Sequence, residues 1–244
     1  VSGTHILFTP PVRDFKRAYE GDVGPNTGGM GSYTSGNLLP FLTSEDLERA
    51  KEIMERTIKA LLKEVATPYK GVLYGGFMAT GDGVYLLEFN VRFGDPEAMN
   101  VLLLMEGDFA EVVEAVAEGK QPPVKRFREN ATVCKYFVPE GYPINPVKSA
   151  RISVNEKEIE RRGVHVYWGS VNEKNGKLLT TSSRTIALVA EGSTPWQASD
   201  LIESVAVHVK GPLYHRRDIG SRGLIEGQVK RMAVLRGKGG VPES

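Results

Sequence analysis

The sequence predicts a mixed α/β (α+β) fold in two parts: an antiparallel sheet with flanking helices over residues 1–123, then a small, mainly β domain over residues 124–226, closed by a tail at 227–244. Three observations predict it. Two strand-like runs, Gly71 to Ala79 and Val84 to Phe93, are joined by Thr80-Gly-Asp-Gly83, a hairpin turn by composition. Before them, Leu47, Ala50, Ile53, Met54, Ile58, Leu61, Leu62 and Val65 recur at three- and four-residue steps, the period of an amphipathic helix. After Lys120-Gln-Pro-Pro-Val, short strand-like pieces alternate with Gly, Pro and Asn.

The elements follow in order. The chain opens on Val-Ser-Gly-Thr-His-Ile-Leu-Phe-Thr without an initiator Met, which reads as the turn and second strand of a hairpin whose first strand lies before Val1. A fragment or processed piece is therefore expected. The amphipathic helix starts at Thr43 as cap with Asp46 three residues on, and its Met54 is core filler. Val101 to Met105 reads as a buried helix, and Asp108 caps the next with Glu111 at its third position. In the second part Ala131 to Pro139, Arg151 to Val154, Val164 to Ser170 and Leu178 to Ala190 are expected strands. Thr194-Pro-Trp-Gln197 opens a helix running to about Val209, and the Lys/Arg-rich tail is expected to fray.

Apolar content of 41% against 25% charged residues places the chain among soluble globular proteins. A net charge of +1 without a basic run argues against nucleic acid as a partner, and no apolar run is long enough for a bilayer, so no membrane partner is expected. The single cysteine, Cys134, excludes an internal disulfide and, with no secretory signal, points to a cytoplasmic protein. Within Ala-Thr-Val-Cys-Lys-Tyr-Phe-Val it reads as a small strand residue, and His215 as a solvated or core-edge histidine.

The chemistry concentrates in Tyr85 to Glu97. On an extended strand Leu87, Phe89, Val91 and Phe93 share one face, expected on the core, while Glu88, Asn90 and Arg92 share the other. A carboxylate and a carboxamide oxygen suit Mg2+, which takes one or two protein oxygens, and Arg92 adds a fork that matches phosphate. A solvated strand face would show the same alternation. What favours a site is the ending: Gly94 breaks the strand, Asp95 can cap, Pro96 suits a first helical position and Glu97 the first turn. Upstream, Glu20 to Ser32 holds Gly-Pro-Asn-Thr-Gly-Gly-Met-Gly at 24 to 31, where glycines let backbone amides approach an anion closely. The run is neither a Walker A loop nor a dinucleotide fingerprint. Asp22, Asn26 and Thr27 add polar groups that a plain linker does not need.

Three stretches in this order, Gly24 to Gly31, Leu87-Glu-Phe-Asn-Val-Arg-Phe-Gly-Asp-Pro-Glu97 and Arg216-Arg-Asp-Ile-Gly220, resemble the phosphoribosylamine-glycine ligase family, ATP-grasp enzymes of purine synthesis. Tyr69-Lys-Gly-Val-Leu-Tyr-Gly-Gly and Asp14 to Arg17 are similar to the family's segments before the metal motif and the glycine loop. The resemblance runs from Val1 to about Leu224 and implies the C-terminal part of an ATP-grasp module followed by the family's C-terminal domain. It implies ATP-dependent ligation of glycine to 5-phosphoribosylamine through a glycyl phosphate, with Mg2+ (or Mn2+) as cofactor, ATP as co-substrate and the missing N-terminal half of the same enzyme as partner. By the resemblance Glu88 and Asn90 are the metal ligands, and Arg92 and Asp22 the catalytic candidates. Lys16, Asn26, Thr27, Gly28, Gly29, Gly31 and Asp95 would contact substrate or phosphate. Departures fall at Ala98 and Met99, where the family has Thr and Gln, at Trp168-Gly-Ser170 in place of Ala-Gly-Thr, and at Ser182-Ser-Arg184 in place of Gly-Gly-Arg. They leave open an ATP-grasp ligase for another carboxylate and amine; a non-catalytic assembly subunit is the alternative of a different class.

Overall fold

The computed structural model describes residues 1–36, 38–124 and 126–237. Its largest sheet has the spatial order Arg13–Asp14, Gly31–Ser35, Ala131–Pro139, Ile186–Gly192 and Val164–Trp168, every neighbour antiparallel, with Leu213–Tyr214 also paired to Ala131–Pro139. Strands from both sides of the Pro122-Pro123 step thus share one sheet.

The Ala131–Pro139 strand is its axis. All nine of its residues are buried, the pattern of a strand paired along its length and covered on both faces. Cys134 lies inside it as a small core residue, and burial pushes its thiol well above the ordinary range. Gly31 (φ +151°) crosses Lys135, and a Cβ there would stand 2.2 Å from the Cys134 carbonyl oxygen, so only glycine lets the two strands close up.

One charge is buried in this strand. Lys135, 0% exposed, places Nζ 2.8 Å from Glu203 Oε1 and donates to the Arg217 carbonyl at 2.8 Å. Glu203 also meets His215 Nε2 at 3.1 Å, and the imidazole stacks on Phe137 at 4.2 Å. His215 is therefore a core-edge residue whose partner comes from the helix Pro195–Val205, beyond the reach of local sequence. Burial alone would raise the Glu203 carboxyl, but the His215 hydrogen bond and the Lys135 ammonium hold it down at about 2.

The helices follow their caps. Ser44–Val65 begins with a reciprocal pair, Thr43 Oγ1 accepting from Asp46 N at 3.3 Å and Asp46 Oδ2 from Thr43 N at 2.8 Å, and buries Met54 and Ile58 against the hairpin of Tyr74–Ala79 and Val84–Asn90. Asp108 caps Phe109–Glu118, and Thr194 caps Pro195–Val205, accepting from Gln197 N at 3.3 Å. That last helix ends at Val205 in a 3-10 turn, short of Val209.

Three expectations change. Leu178 to Ala190 is two strands: Lys177–Thr180 pairs with Val171–Lys174 and Arg151–Val154 in a second sheet, while Ile186–Gly192 joins the first. The intervening Thr181 to Thr185 carries the chain from one sheet to the other, a crossing that strand propensity does not signal. The opening residues form two isolated bridges, Ser2 to His5 and Ser2 to Lys70, rather than a strand. The tail is helical over Arg222–Leu235, capped by Ser221 and tied back by Arg236 to Asp46 at 2.7 Å, where a frayed segment was expected; residues 238–244 lie outside the described ones. Among the described residues no helix is long and apolar enough to cross a membrane.

A carboxyl depressed in the folded state contributes stability that is present above its unfolded value and lost as pH falls through the folded one. Glu203 therefore predicts a loss of stability as pH drops from 4.5 towards about 2. In acid titrations followed by circular dichroism, Glu203→Gln should flatten that segment of the profile and lower stability at pH 7.

Candidate metal and substrate site

The site begins on the hairpin. Its turn closes by Thr80 N donating to the Gly83 carbonyl at 2.8 Å and Thr80 Oγ1 to Asp82 Oδ1 at 2.6 Å. Gly76 pairs with Glu88 but Phe77 with Leu86, so Leu87 is an extra, bulged residue. The bulge takes Leu87, 63% exposed, out of the expected apolar row, Val91, 75% exposed, lies past the end of the strand at Asn90, and the buried side of the strand is set by Val84. Phe93 still reaches cover, packing on Phe109 at 6.0 Å.

Beyond the bulge Glu88 and Asn90 share a face. Asn90 Nδ2 donates to Glu88 Oε1 at 3.2 Å, so a carboxylate and a carboxamide stand side by side. Gly76 gives Glu88 its space, because a Cβ there would lie 3.2 Å from Glu88 Cγ. The described residues hold no cluster of three or more His, Cys, Asp or Glu able to bind a metal. A cation here would have two hard protein oxygens and its remaining positions for water and phosphate, a donor set that fits Mg2+. Arg92 lies past the strand end, exposed, with Nη1 donating to the Phe93 carbonyl at 2.8 Å.

The glycine loop is held from inside and outside. Thr27 Oγ1 donates to the Lys16 carbonyl at 2.8 Å and accepts from Gly29 N at 3.0 Å, and Gly28 N donates to the Tyr142 hydroxyl at 3.3 Å. Gly29 (φ +118°) must be glycine: a Cβ would stand 2.8 Å from Pro96 Cδ and 3.0 Å from Asp14 Oδ1. From across the sheet, Arg184 Nη1 donates to the carbonyls of Gly28 (3.0 Å), Gly29 (3.2 Å) and Asp95 (3.1 Å), while Nη2 donates to Asp95 Oδ2 at 2.7 Å. The guanidinium lies 4.4 Å over the Tyr136 ring, whose hydroxyl donates to Asp95 Oδ1 at 2.8 Å. Asp95 is thus committed to Arg184 and Tyr136 rather than to capping, and the helix Glu97–Leu104 starts from Pro96 without a side-chain cap.

The other expected residues divide. Lys16 places Nζ 2.5 Å from Asp14 Oδ2, beside the loop. Asn26 is exposed in the short pair Arg17–Tyr19 with Val23–Asn26. Asp22, in a left-handed conformation (φ 58°), accepts from Arg216 Nη1 at 2.8 Å. Arg216 is completely buried, also donates to both carboxylate oxygens of Asp218 at 2.9 and 2.7 Å, and lies 5.0 Å over Phe15.

Sequence reasoning missed the polar core between loop and hairpin. Asp14 and Glu97 are nine-tenths or more buried, with side-chain exposure of 10% and residue exposure of 6%. Burial, then the negative charge of Glu97, raises the Asp14 carboxyl to about 6. Tyr74, across the ladder from Asn90, donates its hydroxyl to Glu97 Oε1 at 2.9 Å, and burial with the charges of Glu97, Asp14 and Glu88 pushes that hydroxyl up. Tyr74 therefore links the strand of Glu88 and Asn90 to the buried carboxylates. The available signal was the Asp at the head of Asp14 to Arg17 and a Glu that looked like an ordinary first-turn residue.

Two family models match: phosphoribosylglycinamide synthetase, ATP-grasp (A) domain, over residues 1–98, and phosphoribosylglycinamide synthetase, C domain, over residues 132–222. The chain is 52% identical to a phosphoribosylamine-glycine ligase of Methanothermobacter thermautotrophicus, covering 96% of this chain and 53% of that protein, and 50% identical to one of Methanocella arvoryzae, covering 97% and 54%. It spans about half the length of these relatives. Among solved structures, phosphoribosylamine-glycine ligase of Thermotoga maritima superposes with TM-score 0.78 at 32% identity, over 89% of this chain and 53% of that one. A biotin carboxylase domain of Hydrogenobacter thermophilus 2-oxoglutarate carboxylase, in complex with MgADP, shares the fold at TM-score 0.55 and 15% identity, over 90% of this chain and 44% of that one. Together the two domain matches and the relatives show that the chain belongs to the phosphoribosylglycinamide synthetase family of ATP-grasp proteins.

Proposed function

We propose that this chain supplies the metal, phosphate and amino-acid side of an ATP-dependent ligase that joins glycine to 5-phosphoribosylamine. The observation that carries the reading is the Glu88 and Asn90 pair standing beside a glycine loop in a chain of this family. The glycine carboxylate takes the γ-phosphoryl group of ATP, and the amine of phosphoribosylamine attacks the resulting acyl phosphate, expelling phosphate and forming the amide. Glu88 and Asn90 hold Mg2+, which when bound neutralises charge building on the ATP phosphates. Arg92, its guanidinium exposed at the strand end, stabilises the transferring phosphoryl group. Gly28 and Gly29 close on the phosphates, with Asn26 and Thr27 shaping the loop and Lys16 at its margin. Asp22 acts through Arg216, holding the approach to the loop. Ser182 and Ser183 precede the clamp residue Arg184, while Met99 packs against the core, so that departure lies away from the metal pair.

The remainder of a full-length ligase completes the nucleotide cleft. Support comes from the two-stranded hairpin, marginal on its own, whose Met78, Tyr85 and Leu87 are 46%, 52% and 63% exposed. Such residues are suited to being covered by further sheet or helix.

In the full-length ligase, Glu88→Gln should lower turnover by about two to four orders of magnitude while leaving the circular dichroism spectrum unchanged, the loss expected when a carboxylate of a catalytic metal site goes. Activity within a few-fold of wild type across a Mg2+ titration would remove the metal assignment. Arg184→Lys keeps the charge but not the fork, and should raise the KM for ATP while reducing kcat, because the carbonyls of Gly28 and Gly29 lose their shared donor.

A further inference from the structure

The amides of the glycine loop are already engaged. Thr27 N donates to the Lys16 carbonyl at 2.7 Å, Gly29 N to Thr27 Oγ1 at 3.0 Å and Met30 N to the Phe15 carbonyl at 2.8 Å, so none of the three is open to an anion. The cradle of free backbone amides that the glycines suggested is therefore not formed by these residues. Gly28 differs in where its amide goes: it leaves the loop and donates to the Tyr142 hydroxyl at 3.3 Å. A hydroxyl oxygen that accepts from an N–H keeps its own proton to donate, and the bond it accepts polarises that proton. Among the described residues the Tyr142 hydroxyl has no acceptor of its own. The side chain is well placed to hold that hydroxyl still. Tyr142 N donates to the Pro139 carbonyl at 3.0 Å, the turn closes through Asn145 N to the Gly141 carbonyl at 2.8 Å and Val147 N to the Glu140 carbonyl at 2.9 Å, and the ring packs against the core.

We propose that Tyr142 is a substrate-binding residue of the ligase, donating its hydroxyl proton to an anionic phosphate oxygen held against the glycine loop; this rests on the ligase reading above. The loop then closes on phosphate through a group outside it, the Gly28 amide passing its polarity on by way of the hydroxyl. Gly28 is fixed for this on both sides, its amide by Tyr142 and its carbonyl by Arg184 Nη1 at 3.0 Å. Tyr142 and Arg184 lie in the stretch matched by the C domain and Gly28 in that matched by the ATP-grasp domain, so the contact forms where the two domains meet. An ionised oxygen is the acceptor such a donor favours, because a hydrogen bond to a charged partner is about twice as strong as one between neutral groups. The proposed reaction brings two phosphate groups to the site: the γ-phosphoryl of ATP, on its way to the acyl phosphate, and the 5-phosphate of phosphoribosylamine. Both offer the same chemistry to the hydroxyl, and kinetics on the two substrates tells them apart.

The test is steady-state kinetics on the full-length ligase carrying Tyr142→Phe, with ATP and phosphoribosylamine varied in turn at saturating glycine. The substitution keeps the ring and removes only the hydroxyl, and Gly28 is exposed, so water takes up its amide and the fold is retained. The KM for one of the two substrates should rise about 10- to 100-fold, the loss of a hydrogen bond to a charged group, with the KM for the other within about twofold. A rise for phosphoribosylamine, matched by weaker inhibition by glycinamide ribonucleotide, assigns the hydroxyl to the 5-phosphate. A rise for ATP with that inhibition unchanged assigns it to the transferring phosphoryl group. Wild-type KM values for both substrates overturn the proposal and leave the ligase reading intact. So does an equal rise in both, the mark of a loosened loop rather than of a lost donor. A wild-type enzyme that forms no glycinamide ribonucleotide overturns the ligase reading and this proposal with it.

Discussion

The structure depends first on the two-sided pairing of Ala131–Pro139. Gly31–Ser35 lies on one flank and Ile186–Gly192 on the other, so the strand carrying the glycine loop and the strand preceded by Arg184 are both indexed to the same buried ladder. A central strand buried on both faces has little freedom of register, because a one-residue slip would exchange the face of Val133, Lys135 and Phe137 with that of Cys134, Tyr136 and Val138. Lys135 makes the register more exacting still: its ammonium is matched by Glu203 and the Arg217 carbonyl at one place only. Gly31 adds a steric condition from the other flank, since the approach to Cys134 leaves no room for a side chain.

From that ladder the site is assembled by one guanidinium. Arg184 binds three carbonyls and a carboxylate drawn from the loop and from the start of the Glu97–Leu104 helix, and stacks on Tyr136 of the central strand. These groups lie far apart in sequence, 89 residues separating Arg184 from Asp95. The planar fork suits this task because its donors point in fixed directions while its face stacks on the ring. The loop is glycine-rich and would otherwise be loose, so the clamp confers the order that its sequence withholds.

Local chemistry made much of this legible in the residues. The capping box at Thr43, the hairpin turn and the alternation of Glu88 and Asn90 rest on neighbours within a few positions, and the structure keeps them. What local pattern does not encode is pairing. The Leu87 bulge follows from how Gly76 and Phe77 meet the second strand, and it exposes a residue that alternation would bury. Asp95 looked like a helix cap because Asp before Pro-Glu has that form, but a buried tyrosine and an arginine from the crossing between the two sheets claim both of its oxygens. Asp14 and Glu97 were unremarkable for the same reason: a carboxylate's meaning lies in what it faces, and each faces the other across a fold.

The carboxylates of the site differ in one respect that separates scaffold from ligand contact. Asp95 has donors on both oxygens, from Tyr136 and Arg184, and Asp22 is held by fully buried Arg216. These charges order the chain whether or not a substrate is present. Asp14 and Glu97 each keep a buried oxygen without a donor, and Asp14 titrates near 6 because the fold disfavours its ionised form. An amide at either position would be the more stable choice for a protein that needed only to fold. The fold gives Asp95 donors on both oxygens, while Glu97 has the Tyr74 hydroxyl on one oxygen and Asp14 the Lys16 ammonium beside one of its own, and Glu97 Oε2 and Asp14 Oδ1 have no donor among the described residues.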